Sequence, residues 1–324
     1  MFTEIILRDF RGFTQLELKN LGRLNLVVGR NNSGKTSLLE GIELICDVHR
    51  LGDPTSLLRT KPSDGGEQLR RWLVRDGSGA ESELHGVCHS QPNAQRKVWL
   101  TRLDATAQVR EDGSRSVVLN SSRMQASTTP GQTAMRCRPI SAEPHDPKSL
   151  VQLFDRAMSR REGEEIIEKL LREVDPRVRR IRIRAPSGRD AFIEVDLGLS
   201  ERIPLSQTGQ GMSRLVALFS ELLGEAPQVC LVDEIENGIH HTLLPRIWRG
   251  LAAAARELDI QVFATTHSHE CIVAAHEVFA AQSSYDFRIV QLFRYDGDEP
   301  KGVQGRVLDQ QLVEAAIRGE IDLR

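Results

Sequence analysis

The segment Gly29-Arg30-Asn31-Asn32-Ser33-Gly34-Lys35-Thr36 constrains the fold of this chain more than any other stretch. It fits the pattern G-x-x-x-x-G-K-[ST], which has a structural meaning only as the link between a strand and a helix. Both flanks are present. Leu24-Asn25-Leu26-Val27-Val28 reads as a short buried strand, and Ser37-Leu38-Leu39-Glu40-Gly41-Ile42-Glu43-Leu44-Ile45 carries apolar residues at helical spacing. Gly29 and Gly34 allow a tight turn. In it the N–H groups of Arg30, Asn31, Asn32 and Ser33, and those of the helix start through Ser37, point at one bound anion. Lys35 adds a cation and Thr36 a hydroxyl for magnesium. Phosphate oxygens and Mg are the ligands this chemistry implies.

A second site lies about two hundred residues further on. Gln228-Val229-Cys230-Leu231-Val232 is an apolar run ending in Asp233-Glu234, which puts two carboxylates at the carboxyl end of a parallel-type strand, where open α/β sheets hold their ligands. This is a Walker B pattern. Phosphoryl transfer needs positioning and charge compensation, so Asp233 is expected to hold the metal and Glu234 to orient and deprotonate the attacking water. A third strand, Gln261-Val262-Phe263-Ala264-Thr265-Thr266, delivers His267 and then Ser268.

These residues carry a family resemblance. The phosphate loop, preceded by Phe10-Arg11-Gly12-Phe13, resembles the opening of the SMC, RecF and OLD-like ATPases. Asp233-Glu234-Ile235-Glu236-Asn237-Gly238-Ile239-His240 resembles their Walker B and D-loop, and Thr265-Thr266-His267-Ser268 their histidine switch. The resemblance implies an α/β P-loop NTPase with an ABC-ATPase-like mixed sheet, flanked by helices and carrying an inserted antiparallel β subdomain. It also implies ATP as the nucleotide, His267 as the γ-phosphate sensor and Arg11 among the nucleotide-binding residues.

The family's signature element should precede Walker B. Ile203-Pro204-Leu205-Ser206-Gln207-Thr208-Gly209-Gln210-Gly211-Met212, followed by the helical run Ser213 to Leu223, is the candidate. A serine and glycines at a helix N-terminus make an anion site. By resemblance, Ser206 and Gly209 would contact the γ-phosphate bound by another subunit, giving a nucleotide-sandwich dimer or a higher assembly. The spacing departs from L-S-G-G-Q by an extra residue between Ser206 and Gly209 and resembles the OLD-like branch more than transporters. A capped helix after a glycine loop is the structural alternative. Glutamines in the middle of the chain are numerous, and none marks a Q-loop.

With 324 residues and 40% hydrophobic content the chain can bury a sizeable core. Its net charge of −2 gives no global attraction to nucleic acid, so a DNA contact would need a local patch. Cys46, Cys88, Cys137, Cys230 and Cys271 are scattered and form no C-x-x-C pair, which implies a reduced, cytoplasmic setting without zinc or disulfides. No stretch has the length of a membrane span, and none reads as a secretory signal.

One ATPase domain over 1–324 is expected. It comprises a phosphate-loop lobe at 1–48, an inserted β-rich subdomain at 49–140 and a helix and hairpin at 141–200. The signature, Walker B and histidine-switch lobe follows at 201–300, and an amphipathic tail at 301–324. Within the insertion, Lys97 to Leu103, Gln108 to Arg110 and Ser116 to Leu119 read as antiparallel hairpins turning at Glu111-Asp112-Gly113-Ser114, and Ser121 to Gln132 reads as a polar, proline-broken loop. Leu150 to Val174 reads as one helical stretch with Glu164, Glu165, Glu168 and Lys169 exposed, too short for the long coiled-coil arms of a full SMC protein.

In Arg180-Ile181-Arg182-Ile183-Arg184 the arginines share one strand face. If Pro186 to Arg189 turns a hairpin into Phe192-Ile193-Glu194-Val195-Asp196-Leu197, Arg182 opposes Glu194 and Arg180 opposes Asp196, so pairing consumes charge that DNA could otherwise use. The resulting expectation is an Mg-dependent ATPase whose dimer gates a separate, nuclease-like effector, by resemblance in anti-phage defence. A RecF-like repair ATPase that clamps DNA directly is the alternative.

Overall fold

Every residue of Leu24–Val28, Val229–Val232 and Gln261–Thr265 is buried, the pattern of strands covered on both faces. The computed structural model describes residues 1–47, 73, 81–88, 95–102, 115–119, 124–128, 134–140, 145–188, 190–294 and 302–319. In it these runs are β3, β12 and β13 of a six-stranded sheet with Cys137–Ile140 (β8), Phe287–Arg294 (β14) and Val303–Leu308 (β15), in the order β15-β14-β3-β13-β12-β8. All pairings are parallel except β14 with β15.

A second six-stranded sheet is antiparallel, in the order β2-β1-β4-β5-β7-β6. It comprises β1 (Phe2–Phe10), β2 (Phe13–Lys19), β4 (Glu81–Cys88), β5 (Gln95–Arg102), β6 (Arg115–Leu119) and β7 (Met124–Thr128). The expected insertion is therefore continuous with the N-terminal hairpin. Its last strand, β8, belongs instead to the parallel sheet, and β7 occupies part of the segment read as a loop. Gln108 to Arg110 and the turn at Glu111 to Ser114 lie outside the described residues.

Helix α1 (Lys35–Cys46) lies between the two sheets. Its Leu38, Leu39, Ile42 and Ile45 share one apolar cluster with Phe2, Leu7 and Leu84 of the antiparallel sheet and with Val27, Leu231 and Phe263 of the parallel one. Burial on both sides explains why Glu40 and Glu43, polar in the sequence pattern, are 0% exposed. Arg96 of β5 closes the helix end, donating to Ile45 O at 3.0 Å and Cys46 O at 2.9 Å.

Alternate residues of the parallel strands, Leu24, Leu26, Val232 and Ala264, face the other way into a core shared with the remaining helices. These are α2 (Pro147–Met158), α3 (Gly163–Val174), α4 (Gln210–Glu225), α5 (Leu244–Glu257), α6 (His269–Ala280) and α7 (Gln310–Ile317). The single helix expected over Leu150 to Val174 is broken. Glu162 adopts φ 62°, and a Cβ at Gly163 would lie 2.1 Å from Ala157 O, so the chain turns too tightly there to remain helical. Glu168 is buried, not exposed: it pairs with Arg172 at 2.7 Å and accepts from Ile181 N at 3.2 Å. The tail expected at 301–324 opens with β15, paired along its length to β14.

A three-stranded sheet of β9 (Arg180–Arg184), β10 (Phe192–Asp196) and β11 (Ile203–Pro204) carries the arginine hairpin. Arg182 opposes Glu194 and Arg180 opposes Asp196, as expected. Arg182 and Arg184 both pair with Glu194 at 3.0 Å, whereas Arg180 reaches Glu164 at 3.7 Å and Asp196 takes Arg202 at 3.7 Å.

Candidate phosphate and metal site

The loop at Gly29–Thr36 joins the carboxyl end of β3 to α1 in a conformation that its glycines make possible. Gly34 has φ 94°, and a Cβ there would lie 2.9 Å from the Phe13 ring. Gly29 has φ 146°, and its Cβ would lie 2.3 Å from Leu292 O. The first helical bond of α1 runs from Leu38 N to Gly34 O at 2.8 Å, which leaves the N–H groups of Lys35, Thr36 and Ser37 at the open helix end. Lys35 Nζ donates to Gly29 O at 2.7 Å and Arg30 O at 3.0 Å, bracing the loop. Burial lowers the Lys35 pKa, while Asp233, Glu234 and Glu236 act in the opposite sense.

The two sequence-distant carboxylates arrive at this loop. Thr36 Oγ1 donates to Asp233 Oδ2 at 3.5 Å across 197 positions of sequence. Asp233 Oδ1 accepts from Thr265 Oγ1 at 2.6 Å, and the same hydroxyl accepts from Glu234 N at 2.8 Å. Glu234 sits at φ 47°, in the left-handed region that non-glycine residues adopt uncommonly. Its Oε1 lies 3.9 Å from His267 Nε2, and both side chains are close to half exposed. Glu236 Oε1 accepts from His267 N at 2.7 Å, tying the turn after β12 to the turn after β13.

Two hard oxygens 3.5 Å apart, on Thr36 and Asp233, fit neighbouring positions around a small divalent ion, which takes oxygen at about 2.0–2.1 Å. Among the described residues no group of three or more His, Cys, Asp or Glu side chains is placed to hold a metal alone. The donor set therefore suits an ion shared with phosphate oxygens.

Arg11, expected among the nucleotide-binding residues, stands at φ 52° in the β1–β2 turn and pairs through Nε with Glu40 Oε2 of α1 at 2.6 Å. Ser206 lies in a single 3-10 turn (Leu205–Gln207), and Gly209, not the serine, stands at the N-cap of α4 with φ 96°. Ser206, Gly209 and Gln210 are exposed. With Ser213, Asn237 and Gly238 they line one cavity of about 360 Å³, so the signature segment and the D-loop share a surface.

Comparison with known proteins bears on this arrangement. Residues 120–272, just under half of the chain, match the AAA_21 family model, "AAA domain, putative AbiEii toxin, Type IV TA system". An ATP/GTP phosphatase of Helicobacter pylori is 20% identical over 86% of this chain and 88% of its own length. RecF of Bacillus mycoides is 32% identical over 26% of this chain and 22% of its own. Among solved structures, an SMC head bound to the C-terminal winged-helix domain of ScpA covers 98% of this chain and 99% of that one, with a TM-score of 0.56 at 13% identity. The SMC head domain of Thermotoga maritima gives 0.52 at 13%, covering 95% and 98%. The chain has the fold of an SMC head and is similar to ATP/GTP-phosphatase and RecF proteins.

As in SMC heads, the fold is a mixed α/β sheet flanked by helices beside a separate antiparallel sheet. The sequence gives Thr265 no role beyond a place in the switch motif. Only the pairing of β12 with β13 brings its hydroxyl between Asp233 and Glu234. The substitution Thr265→Val keeps the β-branched shape but leaves the partly buried Glu234 N–H without its acceptor. Urea unfolding should show a loss of about 1–3 kcal/mol; an unchanged midpoint would mean that the bridge carries no stability.

Proposed function

We propose that this ATPase hydrolyses Mg-ATP in a nucleotide-sandwich dimer and that its nucleotide state gates a separate effector. The observation that carries the reading is the convergence of Thr36, Asp233, Glu234 and His267 at one end of the phosphate loop. Lys35 and the loop N–H groups bind the phosphates, and Thr36 and Asp233 hold magnesium, which compensates the charge of the transferring phosphoryl group. Glu234 takes the proton of the attacking water. His267, its backbone fixed by Glu236, senses the γ-phosphate.

The exposed signature and D-loop surface supports a partner in trans. Gly209 and Gly238, at φ 96° and 73°, have nothing within 4 Å of where a Cβ would stand, so both backbones can be approached closely. The AAA_21 match, to a domain named for a toxin, supports an effector-coupled role, and anti-phage defence in the cytoplasm is the setting we infer. Among the described residues no helix is long and apolar enough to cross a membrane.

The trans arrangement is tested by mixing. Ser206→Arg puts a bulky cation where the neighbour's γ-phosphate docks, so ATP should bind and hydrolysis should fail; Lys35→Ala lacks the loop cation and is inactive for a different reason. An equimolar mixture should recover about a quarter of the wild-type rate, because half of the dimers are mixed and each pairs one intact loop with one intact signature. Chains that co-purify yet stay inactive together would rule out the sandwich.

A further inference from the structure

The signature segment stands at the exposed start of α4, and the charged group that anchors this helix lies about three turns further on. Gln210, Ser213, Arg214 and Ala217 of α4 line the cavity of about 360 Å³ shared with the D-loop, so this face of the helix borders a void. Glu221 continues the same face, four residues after Ala217. It is 3% exposed, accepts from Arg138 Nε of β8 through Oε2, and has His145 Nε2 at 3.3 Å from Oε1. Burial raises the Glu221 pKa, but His145 and Arg138 outweigh it and hold the carboxyl below the usual carboxylate range.

Both cations belong to a frame tied to the metal carboxylate. Strand β8 pairs with β12 along its length, with Arg138 opposite Cys230, and Ile140 O accepts from Asp233 N at 3.1 Å. His145 directly precedes Asp146, whose Oδ1 caps α2 by accepting from Lys148 N at 3.0 Å and Ser149 N at 3.1 Å. The opposite face of α4, with Leu215, Phe219 and Leu222, packs into the apolar core. That packing is non-directional, whereas a buried ion pair fixes particular atoms against each other. Such a pair adds little net stability over an apolar one, and its best-attested use is to specify register. The phosphate and metal chemistry uses none of Arg138, His145 and Glu221.

We propose that Glu221 is a positioning residue: through Arg138 and His145 it sets α4 in register with the β8–β12 pair that carries Asp233, and so places Ser206 and Gly209 for the partner's nucleotide. The proposal rests on the sandwich reading above. Twelve positions separate Gly209 from Glu221, about 18 Å of helix at 1.5 Å per residue, so a shift at Glu221 reaches the signature along one stiff element. Each chain then presents its signature from the same strand pair that holds its own metal carboxylate.

Calorimetry, turnover and subunit mixing on the full chain test this role. Glu221→Gln should bind Mg-ATP with wild-type affinity, because its own phosphate loop is untouched. Its turnover at saturating ATP should fall by up to about 10²-fold, the cost of misplacing a catalytic group by about 1 Å. An equimolar mixture with Lys35→Ala should recover about a quarter of the wild-type rate, since each mixed dimer pairs one intact loop with one intact signature. A mixture with Ser206→Arg should recover nothing, because neither chain then offers a working signature. Arg138→Lys, which keeps a cation at the carboxylate without the guanidinium fork, should give the same split and the same mixing pattern in milder form. If Glu221→Gln loses ATP affinity, Arg138→Lys alone decides. In the deciding variant, lost ATP affinity, a wild-type rate, no recovery with Lys35→Ala or recovery with Ser206→Arg would overturn the positioning role. Failure of Lys35→Ala and Ser206→Arg to complement each other would instead remove the sandwich reading itself.

Discussion

In the Glu234→Gln variant, ATP is expected to bind, remain intact and hold two chains together. The amide keeps the size of the side chain and can still orient a water, but it cannot accept the proton that the nucleophile must lose. The hydrolysis rate should fall by about 10²–10⁴, the usual contribution of a positioned general base. The backbone should be undisturbed, because Glu234 is held through its N–H on Thr265 Oγ1 and its side chain is half exposed. Light scattering should then find an ATP-dependent doubling of mass that the wild type shows only in passing. If this variant hydrolyses ATP at the wild-type rate, or stays monomeric in saturating Mg-ATP, Glu234 is not the base.

Lys35→Ala is expected to separate loop geometry from charge. Lys35 Nζ is bound to Gly29 O and Arg30 O, so the same amine that would meet phosphate also braces the loop. Burial disfavours its charged form, and nearby carboxylates oppose that effect, so an incoming polyanion stabilises a cation that the fold has partly desolvated. Removing it should weaken ATP binding by about 10- to 150-fold, the worth of a hydrogen bond to a charged group. The rate at saturating ATP should drop by roughly a further 10²–10³, as for other lost electrostatic donors. Filter binding and single-turnover kinetics would report the two losses independently; an intact Kd would overturn the assignment of Lys35 and its loop as the phosphate site.

The sequence by itself determined what depends on neighbouring residues. The phosphate loop between β3 and α1, the runs of β12 and β13 and the residues delivered after them were legible because each motif is local and its flanks show their period. Hairpin register was legible for the same reason: a period of two keeps Ile181 and Ile193 inward, and with the turn placed after Pro186 it allows Arg182 to stand opposite Glu194, as it does. Tertiary structure alone decided the rest. Nothing local shows that α1 is enclosed by two sheets, so neither the burial of Glu40 nor its capture of Arg11 could be read from helical spacing. The break at Glu162 and Gly163 depends on a backbone contact with the turn before it, and the polar strand β7 exists because β5 and β6 supply its hydrogen bonds. Thr265 gained its role when parallel pairing set it beside Asp233 across 32 positions of sequence. Contacts between residues so far apart form only once the sheet orders its strands, and that order is fixed by burial summed over the whole chain.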